Sequence, residues 1–252
     1  MISYKVESIK RKEECCESPI RDFVNHWNWF EIVMIVAALV LPVSVGVPTG
    51  AGAIEILATT FGAIAAVLFA KARIEAYIAY VVSLVLYAIV AYTESVYGEI
   101  IFAVFVMLPI TIYGIMNWGR HRRHDDAKGS VALITNTSVR EFGLIVGSQV
   151  VMGVGYFFLL RWLGTEFLVV STITLVVGIV AEYLVARRSR WALYAHIVKE
   201  LAAITLWAFV IAEGGTNVIV IILIPIFCII NDTYGAIQWR RLQKRQQAIS
   251  GM

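Results

Sequence analysis

Charge is scarce in this sequence. Of its 252 residues 15% are Asp, Glu, Lys or Arg, against 60% that are hydrophobic. A soluble globular domain carries about 25% charged residues, so the balance excludes that class and indicates a polytopic membrane protein. Cysteine is scarce as well. Cys15 and Cys16 are adjacent, which strains any bridge between them, and Cys228 lies inside the last hydrophobic run. Neither a disulfide framework nor a metal-site spacing follows from three such cysteines. The sequence also lacks a phosphate loop, a nucleophile elbow and zinc-ligand spacing. The opening 27 residues are charged and have no small-residue cleavage site, so they do not read as a cleavable signal peptide.

What the chain does have is long apolar runs. At about 20 residues per crossing, eight spans are expected, at about 30–48, 53–70, 74–93, 99–119, 140–162, 166–186, 191–212 and 216–239. Residues 1–29 form a polar leader whose Phe23, His26, Trp27 and Trp29 suit a membrane surface. With the N-terminus inside, the leader, Lys71/Arg73, Arg120/Arg122/Arg123/Lys128, Arg187/Arg188/Arg190 and the tail share one side. The opposite loops keep Arg161 alongside Glu55, Glu94, Glu99, Glu166 and Glu213. Lysine and arginine concentrate on the cytoplasmic face of membrane proteins, so both termini are expected there.

One cassette occurs twice. Tyr113-Gly114-Ile-Met-Asn117-Trp118 and Tyr234-Gly235-Ala-Ile-Gln238-Trp239 stand 121 residues apart, each followed by a basic stop. A duplicated helix in a membrane chain points to a duplicated bundle, as in transporters. The division expected is a leader (1–29), an extra helix (30–48), a first three-helix repeat (53–119) and a cytoplasmic loop (120–138). A linker helix (139–162), a second repeat (166–239) and a basic tail (240–252) follow. The fold class is therefore all-α, with eight transmembrane helices arranged as 1 + (3+1+3) parallel repeats, as in SWEET-type transporters.

Polar groups at membrane depth are expensive and need a purpose. Lys199 lies nine residues past Arg190, Asn231 nine before Arg240, and Gln149 nine past Arg140. At ~1.5 Å per residue that is roughly 13 Å deep, near the middle of a core about 30 Å thick. Glu200 and Asp232 adjoin that level, and His196 and Glu182 lie nearer the cytoplasm. A polar pocket at the midplane is one reading. Structural charge pairs, an oligomer interface or an ion path are the others. Trp191 opens the helix that carries His196 and Lys199, where it serves either the aromatic belt or substrate stacking. Tyr77, Tyr80 and Tyr87 fit helical spacing and read as packing, while Gly114 and Gly235 permit close helix contact.

The paired Tyr-Gly-x-x-x-Trp helix ends, the 3+1+3 plan and the Ala181-Glu182-Tyr183-Leu-x-x-Arg187-Arg188 stretch resemble the PnuC family of bacterial vitamin transporters over about residues 53–245. That resemblance implies facilitated transport of nicotinamide riboside, a precursor of NAD, across the bacterial inner membrane. Cytosolic phosphorylation by a riboside kinase would trap it. It also implies a homotrimer in the lipid bilayer, with no cofactor, no metal and no nucleic acid. The candidate substrate-binding residues are Asn231, Asp232, Lys199, Glu200, His196, Trp191, Gln149, Glu182, Tyr113 and Tyr234. Two features depart from the family: the lysine in Trp191-Ala-Leu-Tyr194-Ala-His196-Ile-Val-Lys199-Glu200, and the first span. A carrier of thiamine, riboflavin or a sugar with the same fold is the alternative. An integral-membrane enzyme would have to use His121-Arg-Arg-His124 with Asp125 and Asp126, a group that a solvated basic loop explains.

Overall fold

The computed structural model describes residues 27–93, 103–125, 129–162, 164, 167–212 and 219–250. Outside the described residues lie the leader up to residue 26 with Cys15 and Cys16, together with Glu94, Glu99, Asp126, Lys128, Glu166 and Glu213. Eight α-helices run through the described residues. They are α1 (Trp29–Thr49), α2 (Ala53–Ala70), α3 (Ala76–Thr93), α4 (Leu108–Arg120), α5 (Val139–Trp162), α6 (Leu168–Ala186), α7 (Ala192–Ala212) and α8 (Ile219–Ser250). One helix falls in each apolar span. Of these, α1, α2, α5 and α6 are at least 18 residues long and apolar enough to cross a bilayer.

Local chemistry sets the helix ends. Asn28 caps α1: its Oδ1 accepts the Glu31 N–H at 2.9 Å, and Glu31 Oε2 accepts the Asn28 N–H at 3.1 Å. That reciprocal pair is a capping box. Gly50, at φ +76°, closes the same helix. A five-residue π-helical turn, Ala103–Met107, leads into α4 next to Pro109. Proline offers no N–H to the preceding turn, and a widened turn is one way to absorb that loss.

Two turns are built alike. Ala72 after α2 and Arg188 after α6 both sit at φ +58°. Arg73 N–H reaches back to Leu68 O at 3.1 Å, and Ser189 N–H to Leu184 O at 2.9 Å. A left-handed residue other than glycine costs about 1–2 kcal/mol, so something must hold it. The same loop holds both, since Ala72 O accepts the Ala132 N–H and Arg188 O accepts the Thr135 N–H, each at 2.9 Å.

That loop is more ordered than its sequence indicates. It begins with an antiparallel hairpin, β1 (Arg122–Asp125) and β2 (Gly129–Ala132), with Arg122 opposite Ala132. An Arg-Arg-His-Asp strand has no apolar alternation, which is why the segment reads as a plain loop. The tail also departs from expectation, because α8 continues through the basic residues to Ser250. Its extension buries Leu242, Gln243 and Gln246. Gln246 Oε1 accepts the Ile134 N–H at 3.0 Å while Nε2 donates to Ala132 O at 3.2 Å, and Gln243 Nε2 donates to Asn136 Oδ1 at 3.0 Å. These bonds join the basic turns, the hairpin loop and the α8 extension at one end of the bundle.

The core at that end centres on two tryptophans. Trp118 and Trp239 are 0% and 1% exposed, with ring centroids 5.8 Å apart. The cassette glycines let their helices close in around them. A Cβ on Gly114 would stand 2.1 Å from the Tyr77 hydroxyl, and one on Gly235 would stand 2.6 Å from Leu193 Cδ1 and 2.7 Å from Ala70 Cβ.

Candidate functional site

Above this core lies a cavity of about 100 Å³ whose lining comes from α2, α3, α6, α7 and α8. Helix α7 supplies His196, Lys199 and Glu200, which share one face because residues three and four apart are neighbours on a helix. From α8 come Cys228 and Asp232, one turn apart, and α6 adds Glu182. Phe69 from α2 and Tyr80 from α3 form an aromatic wall, their rings edge to face with centroids 6.0 Å apart.

Charge dominates the opposite side. Lys199 Nζ lies 3.1 Å from Glu200 Oε1 and 3.7 Å from Glu182 Oε1. His196 stands between two acids, with Nε2 3.7 Å from Glu182 Oε1 and Nδ1 3.9 Å from Asp232 Oδ2. Its buried Nε2 has no hydrogen-bond partner among the described residues, so the ring has a donor or acceptor in reserve. Asp232 is 3% exposed and Asn231 1%. The Asn231 amide donates to Asp232 Oδ1 at 3.2 Å and to Ala66 O at 2.9 Å. Asn231 therefore aims Asp232 and ties it to α2. With three acids against one lysine, the formal balance of the cluster is negative.

The sequence candidates divide between this cavity and other places. Glu182, His196, Lys199, Glu200 and Asp232 line it together, and Asn231 backs it. Trp191 does not line it; the indole is 40% exposed and lies under the Arg190 guanidinium, 4.8 Å from the ring centroid. Gln149 lines a separate groove between α4, α5 and α6. Tyr113 stacks on Tyr183 with centroids 6.2 Å apart. Tyr234 fastens α1, donating to Glu31 Oε1 at 2.9 Å and accepting from Asn28 Nδ2 at 2.6 Å. Sequence reasoning missed Phe69 and Cys228 as lining. For Cys228 there was a signal, since it stands one helical turn before Asp232.

Comparison with known proteins gives the family and the fold. A family model described as nicotinamide mononucleotide transporter matches residues 52–241. The nicotinamide riboside transporter PnuC of Neisseria mucosa is 30% identical over 228 residues, covering 89% of this chain and 86% of the relative. The Haemophilus influenzae protein of the same name is 25% identical over 230 residues, 89% of this chain and 96% of that one. The crystal structure of a vitamin B3 transporter PnuC superposes with a TM-score of 0.76 at 28% identity, covering 91% of this chain and 99% of the other. Its helices, its acidic cavity and these matches together make the chain a multi-pass membrane protein that belongs to the nicotinamide mononucleotide transporter family.

Proposed function

We propose that the chain carries nicotinamide riboside across the bacterial inner membrane by facilitated transport. The observation that carries this reading is the acidic, aromatic-walled cavity. A pyridinium cation is attracted to aromatic faces, here Phe69 and Tyr80, and to the carboxylates of Glu182, Glu200 and Asp232. The same balance disfavours the mononucleotide. A phosphate adds about −1.5 to −2 charge, and the described lining offers it no arginine, only a lysine already held by two acids.

At about 100 Å³ the cavity is below the roughly 300–1,000 Å³ of ligand-holding pockets. The substrate therefore enters by moving side chains or helices, as a carrier requires. The repeat plan is supported by the matching turns at Ala72 and Arg188 and by cassette glycines packed alike, on Tyr77 and on Leu193. We read these as SWEET-like parallel repeats. Gathering of Lys71, Arg73, Arg120, Arg188 and Arg240 at the end joined by the hairpin loop favours a cytoplasmic face there, with both termini inside. Uptake would be sustained by a cytosolic kinase that phosphorylates the riboside, and the carrier would work as a homotrimer.

Calorimetric titration of the purified protein with nicotinamide riboside, nicotinamide mononucleotide, thiamine and riboflavin tests the reading. Binding of the riboside alone is expected. Preference for the mononucleotide or another vitamin would overturn the substrate assignment.

A further inference from the structure

We propose that Lys199 is a tethered stand-in for the substrate's cation, so that ligand and lysine exchange places between the same carboxylates and the protein selects positively charged ligands. The proposal rests on the riboside reading above. Its basis is position. Lys199 Nζ bridges Glu200 at 3.1 Å and Glu182 at 3.7 Å, the two acids from neighbouring helices that face the cavity. A quarter of its side chain stays accessible, against 14% and 10% for the two acids. Of the three groups it is the one that can leave.

The surroundings give it somewhere to go. Its stem runs past Gly178 on α6, where an added Cβ would already touch Lys199 Cδ at 3.7 Å. Four rotatable methylenes make a lysine ammonium a mobile point charge, unlike an arginine fork. The other groups at the cavity are His196 from α7, Asp232 and Cys228 from α8, and Tyr80 from α3. None of these is a fixed cation that could neutralise Glu182 and Glu200 once the lysine is gone.

Charge conservation supplies the selectivity. In a low-dielectric cavity, two carboxylates left without a cation are strongly disfavoured. A neutral ligand that displaced Lys199 would leave them so. A cationic ligand that displaced it would keep the charge count unchanged. Two cations crowded on the same pair would repel each other, so binding is an exchange and Lys199 competes with the ligand. This explains why a lysine can stand in a cavity for a cation, the feature that departs from the rest of the family likeness.

The test compares nicotinamide riboside with its reduced dihydro form, which has the same outline without the ring charge. Both are titrated into the full-length wild type and Lys199→Met, with Lys199→Gln as a second variant should Lys199→Met fail to yield folded protein. The wild type should prefer the cation to the neutral form. In the variant the cation should bind about tenfold more tightly, and the neutral form should tighten as well because it no longer has a lysine to displace. Weaker binding of both ligands would mean that Lys199 touches the ligand directly and would overturn the exchange, leaving the riboside reading intact. Wild type and variants all blind to the cation would overturn both. A wild type that ignores the cation beside a variant that binds it would again support a competing lysine.

Discussion

Trp118 and Trp239 each donate a hydrogen bond to the end of another helix, Trp118 to α6 and Trp239 to α2. The Trp118 indole N–H donates to Val185 O, at the end of α6, at 2.8 Å. The Trp239 N–H donates to Phe69 O, at the end of α2, at 3.0 Å. Each cassette tryptophan thus caps a helix 67 or 170 residues away in sequence. The acceptors are equivalent, because each stands three residues before the left-handed turn residue, Arg188 or Ala72. The rings meet edge to face between them, so the pair ties α4, α6, α8 and α2 together below the charged cavity.

Trp118→Phe and Trp239→Phe should therefore cost similar amounts of stability. Each keeps an aromatic ring but removes one hydrogen bond from a carbonyl that still accepts the Arg188 or Ala72 N–H, worth about 0.5–1.5 kcal/mol. Thermal unfolding in detergent measures it. Because the rings touch, the double variant should depart from additivity. Equal, additive and negligible losses would show that the crossing carries no load.

A second consequence concerns Tyr77. Among the described residues its buried hydroxyl has no hydrogen-bond partner, and it presses on Gly114. A buried, unpaired hydroxyl is a cost to the fold, so Tyr77→Phe should leave the melting temperature unchanged or raise it. Gly114→Ala, whose Cβ would fall 2.1 Å from that oxygen, should sharply reduce the yield of folded protein. A stable Gly114→Ala would mean that α3 and α4 move apart easily.

How much of this was legible in the sequence follows from what each signal measures. Apolar run length reports crossings, and all eight spans carry helices. Depth counted from the basic stops brought Lys199, Glu200 and Asp232 to one level, and the cavity joins them. Depth says nothing of azimuth, however, and Gln149 at the same level faces a different groove. Trp191 misled because a tryptophan at a helix start serves the interface and a ring-binding site equally well. The hairpin and the docked tail were illegible because their partners are backbone groups, such as Ile134 N–H and Ala132 O for Gln246, and backbone groups leave no mark in side-chain pattern.

Helix α1 is held by an anchor that can be dissected. Glu31 accepts from Lys71 Nζ and from Tyr234 while it caps its own helix, and both charged side chains are nearly inaccessible, at 1% and 4%. Removing one member of a buried ion pair costs about 3–5 kcal/mol. Glu31→Ala should approach that loss, moderated by the Trp27 ring 4.1 Å from the ammonium. Adding Lys71→Met should recover much of it. If the double variant is as unstable as Glu31→Ala, the capping box and the Tyr234 bond hold α1, not the ion pair.

The cavity makes a prediction where the sequence leaves two readings of Trp191 open. A tryptophan near a polar cluster invites the idea of a stacking platform for the pyridinium ring. In the folded chain Trp191 is 40% exposed beside Arg190, while Asp232 is almost fully buried and aimed at the cavity by Asn231. Attraction for a cation in a low-dielectric site grows with the charge facing it. Asp232→Asn should therefore weaken riboside binding by about tenfold, or ~1.4 kcal/mol, and leave the neutral dihydro form untouched. Trp191→Ala should leave both affinities within about twofold, less than ~0.5 kcal/mol. Asn231→Ala should follow Asp232→Asn in direction but to a smaller degree, because the carboxylate remains and only its aim is lost. Titration of the three variants reads the order directly. If Trp191→Ala proves the most damaging, the ring binds at the end of α7 and the acidic cavity is structural.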